Sequence, residues 1–210
     1  MKLQLALDFI TVEDAKALAE ELGQYVDIIE CGTPFIVKEG IRAVSEVKSK
    51  TDALILADMK IIDAGEYESK TAYEAGADIV TVLGVAGDAT IASVVKEASR
   101  HGKYVMADMI CVKDVEKRAA EIDTLGVDYI CVHTAFDIQS TGKNPLDELI
   151  LVSKVVKNAK TAIAGGVKLE TLGEVVKYQP EIVIVGSGIT GQADKRQAAL
   201  DMKKMLQHTQ

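Results

Sequence analysis

The chain has 210 residues, which is enough for one domain with a sizeable hydrophobic core. Hydrophobic residues make up 48% of it and charged residues 27%, a balance typical of a globular protein. The formal net charge of −8 and the pI of about 5.0 argue against a nucleic-acid-binding surface, because phosphate backbones are bound by clustered Lys and Arg.

Short apolar runs alternate with amphipathic segments from one end of the chain to the other. The amphipathic segments follow helical spacing, with Thr11 as the predicted N-cap of the first helix and Thr33, before Pro34, as that of another. Eight apolar runs predict β-strands: Leu3–Asp8, Val26–Glu30, Ala53–Asp58, Ile79–Val82, Tyr104–Asp108, Tyr129–His133, Thr161–Ala164 and Ile182–Val185.

This alternation predicts a parallel sheet covered by helices, either an open doubly wound sheet or a closed barrel. A repeat favours the barrel. Asp8, Asp58 and Asp108 end the first, third and fifth predicted strands at steps of 50 residues, and Asp27, Asp78 and Asp128 each open an even-numbered strand at steps of 51 and 50. Four such units would close more readily than they would form an open sheet, so we predict a single-domain (β/α)8 TIM barrel over residues 1–210.

Neither a secretion signal nor a membrane span is predicted. The apolar start Met1–Leu7 is short and is followed by Asp8, and no apolar run approaches the length of a membrane span. The three cysteines, Cys31, Cys111 and Cys131, lack paired spacing, which argues against a disulfide framework and a zinc site. We therefore expect a cytoplasmic protein whose cysteines are small core residues.

Charged side chains occur at the carboxyl ends of the predicted strands, where (β/α)8 barrels carry their active sites. We expect them to converge on one mouth, because unpaired charges are costly in a packed core. They are Asp8, Glu30, Asp58, Lys60, Asp108 and His133.

Glycine-rich loops follow the last two strands and predict a site for a phosphorylated substrate. Glycine lets backbone amides approach an anion, and barrels often bind phosphate after these strands. The candidate residues are Gly165 and Gly166 after the seventh strand, and Gly186, Ser187 and Gly188 after the eighth.

The remaining mouth residues indicate chemistry beside a carbonyl group. Glu30 and Asp58 offer only carboxylate oxygens, which suit Mg²⁺ better than zinc or iron. Such an ion could stabilise an enediolate, with Lys60 adding positive charge, and His133 can transfer a proton near neutral pH. The residues therefore predict proton transfer or carbon–carbon bond change on a sugar phosphate.

The motif Asp58-x-Lys60-x-x-Asp63 resembles the signature of the orotidine monophosphate decarboxylase superfamily. The likeness covers nearly the whole chain and is strongest with the 3-hexulose-6-phosphate synthase branch. It runs through Leu5–Asp8, Ile29–Pro34, Ala57–Gly65, Val127–Thr134, Lys160–Gly166 and Ile184–Thr190.

The resemblance implies an aldol addition of formaldehyde to D-ribulose 5-phosphate, with Mg²⁺ or Mn²⁺ as cofactor. By that likeness Glu30 and Asp58 hold the metal, Lys60 stabilises the enediolate, and His133, helped by Asp108, moves the proton at C1. It also implies that Asp8 binds substrate hydroxyls and that Asp63 reaches the active site of a neighbouring subunit, so the expected active form is a homodimer.

Two alternatives remain open at this point. 3-Keto-L-gulonate-6-phosphate decarboxylase shares the metal and lysine machinery, but that branch usually has arginines after the histidine and a glutamate at the place of Asp108. It also normally has an arginine after Gly186, where this chain has Ser187. A sugar-phosphate-binding barrel without activity is the other alternative, which the presence of Lys60 and both carboxylates disfavours.

Overall fold

The computed structural model describes residues 1–141 and 144–207. Its strands are β1 Lys2–Leu7, β2 Ile28–Cys31, β3 Leu54–Ile61, β4 Ile79–Leu83, β5 Tyr104–Asp108, β6 Tyr129–His133, β7 Lys160–Ala164 and β8 Ile182–Val185. Its helices are α1 Val12–Leu22, α2 Thr33–Glu39, α3 Arg42–Lys48, α4 Gly65–Glu74, α5 Asp88–His101, α6 Val115–Asp123, α7 Pro145–Val155, α8 Leu169–Val175, α9 Ser187–Thr190 and α10 Lys195–Gln207. Short 3₁₀ turns occupy Phe136–Thr141 and Val176–Tyr178.

The eight strands form one closed parallel barrel. Each strand pairs with the next along the chain, and β8 pairs with β1 through Lys2–Ile182 to Leu5–Val185. All eight predicted strands are present, so the predicted (β/α)8 barrel is confirmed. In the part of the chain that the structure describes, no helix is long and apolar enough to cross a membrane.

Alternation along the strands divides the core into two layers. One set of side chains, including Leu5, Ile29 and Val80, packs outward against the helices. The other set, including Leu56, Met106 and Ile182, fills the barrel interior. Because these apolar side chains fill the interior, the inward-facing rows end in polar residues at the two openings of the barrel.

The second aspartate series of the repeat, Asp27, Asp78 and Asp128, has a structural role at the amino-terminal end of the barrel. Each of the three carboxylates accepts a hydrogen bond from a backbone amide near the start of the preceding strand. The pairs are Asp27 with the Leu3 amide at 2.8 Å, Asp78 with the Ile55 amide at 2.9 Å, and Asp128 with the Val105 amide at 2.8 Å. Glu181 takes the fourth position before β8. The Asp27, Asp78 and Asp128 series therefore reflects the repeated structure of the barrel and not a functional site.

Strand β3 differs from its prediction at its carboxyl end. It continues beyond Asp58 to Ile61, with a shift in its register to β4 between Ala57 and Ile61. Within the shifted segment Lys60 has a φ of 46°, a left-handed conformation that is strained for a residue with a Cβ. The Thr81 hydroxyl accepts a hydrogen bond from the Lys60 amide at 2.9 Å, and this bond stabilises the left-handed conformation of Lys60.

Two sequence interpretations need correction. Thr33 is not the N-cap of α2, because the helix begins at Thr33 itself and Gly32 takes the capping position. Cys31 and Cys131 are buried as predicted, and burial raises the pKa of the Cys31 thiol to about 12, but Cys111 is exposed. Cys111 lies in the loop after β5, where the chain leaves the barrel.

Candidate active site

A cavity of about 430 Å³ opens at the carboxyl end of the barrel. Of the predicted site residues, nine line it: Asp8, Glu30, Asp58, Lys60, His133, Gly165, Gly166, Gly186 and Ser187. They come from six different strands or the loops that follow them, which only barrel closure brings together. Asp108 lies just behind this lining, in contact with Lys60 and His133.

Lys60 bridges two buried carboxylates. Its Nζ atom lies 2.9 Å from Oδ2 of Asp58 and 2.8 Å from Oδ2 of Asp108. Burial lowers the pKa of the Lys60 ammonium, but the two carboxylates outweigh this and raise it above its ordinary value. The residue is therefore a permanent cation at the edge of the cavity.

Asp108 also orients the imidazole of His133. The His133 Nδ1 atom lies 2.9 Å and 3.1 Å from the two oxygens of Asp108. Burial raises the pKa of this carboxyl group, yet His133 and Lys60 outweigh burial and hold it well below its ordinary value. An ionised carboxylate only accepts hydrogen bonds, so Nδ1 carries the proton and Nε2 is left as the basic nitrogen.

Asp58 is held by hydroxyl groups from two other elements. Thr33 on α2 donates to Oδ2 at 2.8 Å, and Thr81 on β4 donates to Oδ1 at 2.8 Å. The Thr81 hydroxyl thus accepts a hydrogen bond from the Lys60 amide and donates one to Asp58. These contacts fix the carboxylate while Lys60 balances part of its charge.

Asp8 and Glu30 add negative charge that no cation of the described residues balances by an ion pair. Burial and the nearby Asp58 carboxylate raise the pKa of Asp8. Burial, Asp58 and Asp8 raise that of Glu30 well above its ordinary value. Such a set of carboxylates is deficient in positive charge.

This donor set fits a divalent cation of the Mg²⁺ type. Glu30 and Asp58 provide hard oxygen ligands, and such ions keep several waters or substrate oxygens in their shell. Among the described residues, no group of three or more His, Cys, Asp or Glu side chains could hold a metal ion, so the other ligands of such an ion would have to be waters or substrate oxygens. A bound cation would supply the positive charge that balances the Glu30 carboxylate.

The two glycine loops lie on the side of the cavity opposite to Lys60 in strand order. Gly165 and Gly166 have φ values of 98° and 74°. A Cβ atom on Gly165 would lie 2.4 Å from the carbonyl oxygen of Thr134, so no larger residue fits there. After β8, Gly186 and Ser187 line the cavity where α9 begins, and the first amides of a helix have no acceptor within it.

Gly188 does not line the cavity. A Cβ atom on it would lie 2.7 Å from Cγ1 of Val185 and 3.0 Å from the Val167 carbonyl oxygen. A glycine is needed at this position because α9 packs closely against the barrel. Its predicted part in substrate binding stays a prediction.

Asp63 lies outside its own cavity. It is exposed, and its Oδ1 atom accepts the Ala64 amide at 2.8 Å. Exposed apolar side chains flank it, with Ile62 at 53% and Tyr67 at 76% exposure. Its predicted action in a partner's site stays a prediction.

Several residues of the site were not predicted from the sequence. Gln4 donates a hydrogen bond to Glu30, and Thr33 and Thr81 donate to Asp58. Phe9 and Phe136, which both line the cavity, make a tilted ring contact with centroids 5.5 Å apart. Gln4 and Thr81 carried a usable signal, because each is a single polar residue inside an apolar strand.

Comparison with known proteins connects this site to one family. The model of the orotidine 5'-phosphate decarboxylase / HUMPS family matches residues 1–202. A 3-hexulose-6-phosphate synthase of Bacillus subtilis (strain 168) is 55% identical over 207 residues, which cover 98% of this chain and 99% of that protein.

Solved structures agree with the sequence relatives. The crystal structure of 3-hexulose-6-phosphate synthase from Salmonella typhimurium superposes with a TM-score of 0.97 at 42% identity, over all of both chains. A 3-keto-L-gulonate-6-phosphate decarboxylase from Vibrio cholerae is more distant, with a TM-score of 0.86 and 27% identity over 100% of this chain and 98% of that one.

Proposed function

The chain belongs to the orotidine 5'-phosphate decarboxylase / HUMPS family, in which it groups with 3-hexulose-6-phosphate synthases, and we propose that it adds formaldehyde to D-ribulose 5-phosphate. The product is D-arabino-hex-3-ulose 6-phosphate. The observation that carries this proposal is the pairing of His133 with Asp108 beside Lys60, which places a base and a fixed cation at one edge of the cavity.

The chemistry follows from what these side chains can do. Nε2 of His133 removes a proton from C1 of the sugar phosphate, while Asp108 holds the ring and stabilises the imidazolium that forms. The ammonium of Lys60 stabilises the negative charge on the resulting enediolate oxygens. C1 then forms a bond to the formaldehyde carbon, the C=O electron pair moves to the formaldehyde oxygen, and that oxygen takes the proton back from His133.

Glu30 and Asp58 are the proposed ligands of Mg²⁺ or Mn²⁺. A bound divalent ion would polarise the sugar carbonyl and so acidify the neighbouring C–H bond. The charge deficit around Glu30 supports this assignment, as does the fixing of Asp58 by Thr33 and Thr81. Asp8, at the end of β1 and beside Asp58, is the proposed acceptor for substrate hydroxyls.

The phosphate group is proposed to bind between the loops of Gly165–Gly166 and Gly186–Ser187. Backbone amides at these loops can approach an anion closely because glycine allows the required conformation. The Ser187 hydroxyl adds a donor on the same wall. No arginine is among the described residues that line the cavity, so we propose that backbone amides and hydroxyl groups bind the phosphate.

We propose a cytoplasmic homodimer as the active form. The exposed side chains of Ile62 and Tyr67 next to Asp63 support an apolar contact that would direct this carboxylate toward a partner. Free cysteines agree with a reducing compartment.

The direct test supplies both candidate substrates to purified protein with Mg²⁺. We expect formaldehyde to disappear only when ribulose 5-phosphate is present, and we expect Lys60→Met to abolish this. Release of CO₂ from 3-keto-L-gulonate 6-phosphate, with formaldehyde consumption unaffected by ribulose 5-phosphate, would transfer the assignment to the decarboxylase.

A further inference from the structure

Gln4 is a polar residue in the interior of the barrel. It lies on β1 between Leu3 and Leu5, and it is 1% exposed. Side chains alternate along a strand, so Gln4 shares its inward row with Ala6, and that row ends in Asp8 at the cavity. Gln4 therefore sits below the cavity floor, among the apolar side chains that fill the barrel.

Among the described residues, the side chain makes one hydrogen bond, to Glu30. Its Nε2 atom donates to Oε2 of Glu30 at 2.6 Å. A carboxylate that holds a cation is ionised and only accepts hydrogen bonds, so the amide nitrogen is the atom that can bond to it when a metal is bound. No other side-chain hydrogen bond to Glu30 exists within the described residues.

The other end of the amide is unsatisfied. Oε1 of Gln4 is buried and has no hydrogen-bond partner within the described part of the chain. A buried acceptor without a partner destabilises the fold, and an apolar side chain of similar length would avoid this. Fold stability alone does not explain a glutamine here.

The contact to Glu30 does explain it. A neutral amide can hold one carboxylate oxygen without neutralising the charge, which leaves the other oxygen for a ligand in the cavity. A lysine in the same place would balance the carboxylate and compete with a cation, whereas an apolar residue would leave Glu30 free to rotate about its side-chain bonds.

We propose that Gln4 is a positioning residue that holds the Glu30 carboxylate in place for a divalent cation and thereby raises the affinity of the protein for this cation in the absence of substrate. This rests on the proposed function, in which Glu30 is a metal ligand. Outer residues that bond to a metal ligand typically contribute 10- to 100-fold in affinity.

The test measures binding of Mn²⁺ itself by electron paramagnetic resonance, without substrate, together with the thermal unfolding temperature. For Gln4→Leu we expect the Mn²⁺ dissociation constant to rise about 10- to 100-fold. The metal-free unfolding temperature should change little, because removal of the unpaired Gln4 oxygen offsets the loss of the hydrogen bond to the buried Glu30. Gln4→Met, which keeps the side-chain length, provides a second variant if the leucine side chain packs poorly.

Thr134→Val is the matched control. The Thr134 hydroxyl is the other buried oxygen without a partner among the described residues, and Thr134 does not line the cavity. Its removal should leave Mn²⁺ affinity unchanged.

The outcomes separate the two proposals. Wild-type affinity in both Gln4 variants, with Glu30→Gln binding Mn²⁺ poorly, would overturn the role of Gln4 alone. Equal Mn²⁺ binding by the wild type and Glu30→Gln would overturn the metal site and this inference with it.

Discussion

The Nδ1 atom of His133 lies 2.9 Å from Oδ2 of Asp108, although the two residues belong to different strands. The same carboxylate oxygen lies 2.8 Å from Nζ of Lys60. One buried aspartate thus selects the tautomer of the proposed base and anchors the cation beside it. Its second oxygen accepts the Ile110 amide at 2.9 Å, so the whole group is fixed by the backbone.

Replacing Asp108 by Asn should remove the basic nitrogen from the cavity. The new amide can donate to Nδ1, which places the imidazole proton on Nε2 where a lone pair is needed. We expect exchange of the C1 proton of ribulose 5-phosphate with D₂O, followed by NMR without formaldehyde, to fall about 10²- to 10⁴-fold.

Asp114→Asn is the control for that experiment. Asp114 caps α6, after the loop that follows Asp108 and β5, and it does not line the cavity. It should exchange the C1 proton at the wild-type rate. Undiminished exchange in Asp108→Asn would contradict the proposed role of Asp108 in selecting the His133 tautomer.

Thr81→Val should disturb Lys60 and Asp58 together. The valine keeps the shape of the side chain but leaves the Lys60 amide without its acceptor and removes one of the hydrogen-bond donors to Asp58. We expect a loss of about 1–3 kcal/mol in the free energy of unfolding, measured in urea, and a lower kcat. Thr81→Ser, which keeps the hydroxyl, should recover most of both; failure to recover either would show that methyl packing rather than hydrogen bonding dominates.

The proposed shared site predicts complementation between inactive subunits. Asp63→Ala and Lys60→Ala should each be inactive alone. After subunit exchange, about a quarter of wild-type activity should return, because about half of the dimers are mixed and each mixed dimer has one complete site. Absence of activity after exchange has been demonstrated with labelled subunits would contradict a role for Asp63 across the dimer.

The amino-terminal end of the barrel should make stability depend on acid pH. Burial raises the pKa of Asp78, but Lys103, the Ile55 amide and Lys48 outweigh it and lower the pKa below its ordinary value. A lowered pKa means that the stabilisation is present above the unfolded-state pKa, near about 3.9, and is lost as the pH falls through the folded value.

Asp78→Asn should therefore lower the free energy of unfolding by about 1–3 kcal/mol at pH 7, and the difference from wild type should shrink below about pH 4. Urea unfolding at several pH values measures it. Asp52→Asn, at an exposed position, should differ from wild type by less than about 0.5 kcal/mol. A pH-independent difference for Asp78→Asn would show that its charge contributes nothing.

Sequence alone determined the architecture and the position of the mouth. Eight apolar runs separated by helical patterns predicted the barrel, and the 50-residue steps of Asp8, Asp58 and Asp108 predicted where charges meet. These features are periodic and local, so they can be read along the chain. Barrel geometry then places strand ends together whatever their distance in sequence.

Only the tertiary structure decided which atoms face each other. The extension of β3 to Ile61 and the strained backbone of Lys60 depend on the pairing with β4 and on the Thr81 hydroxyl, 21 residues away. The bond from Gln4 to Glu30 spans 26 residues, and the packing role of Gly188 depends on Val185 and Val167. Hydrogen bonds and close contacts between distant residues leave no period in the sequence, because their geometry exists only once the barrel has closed.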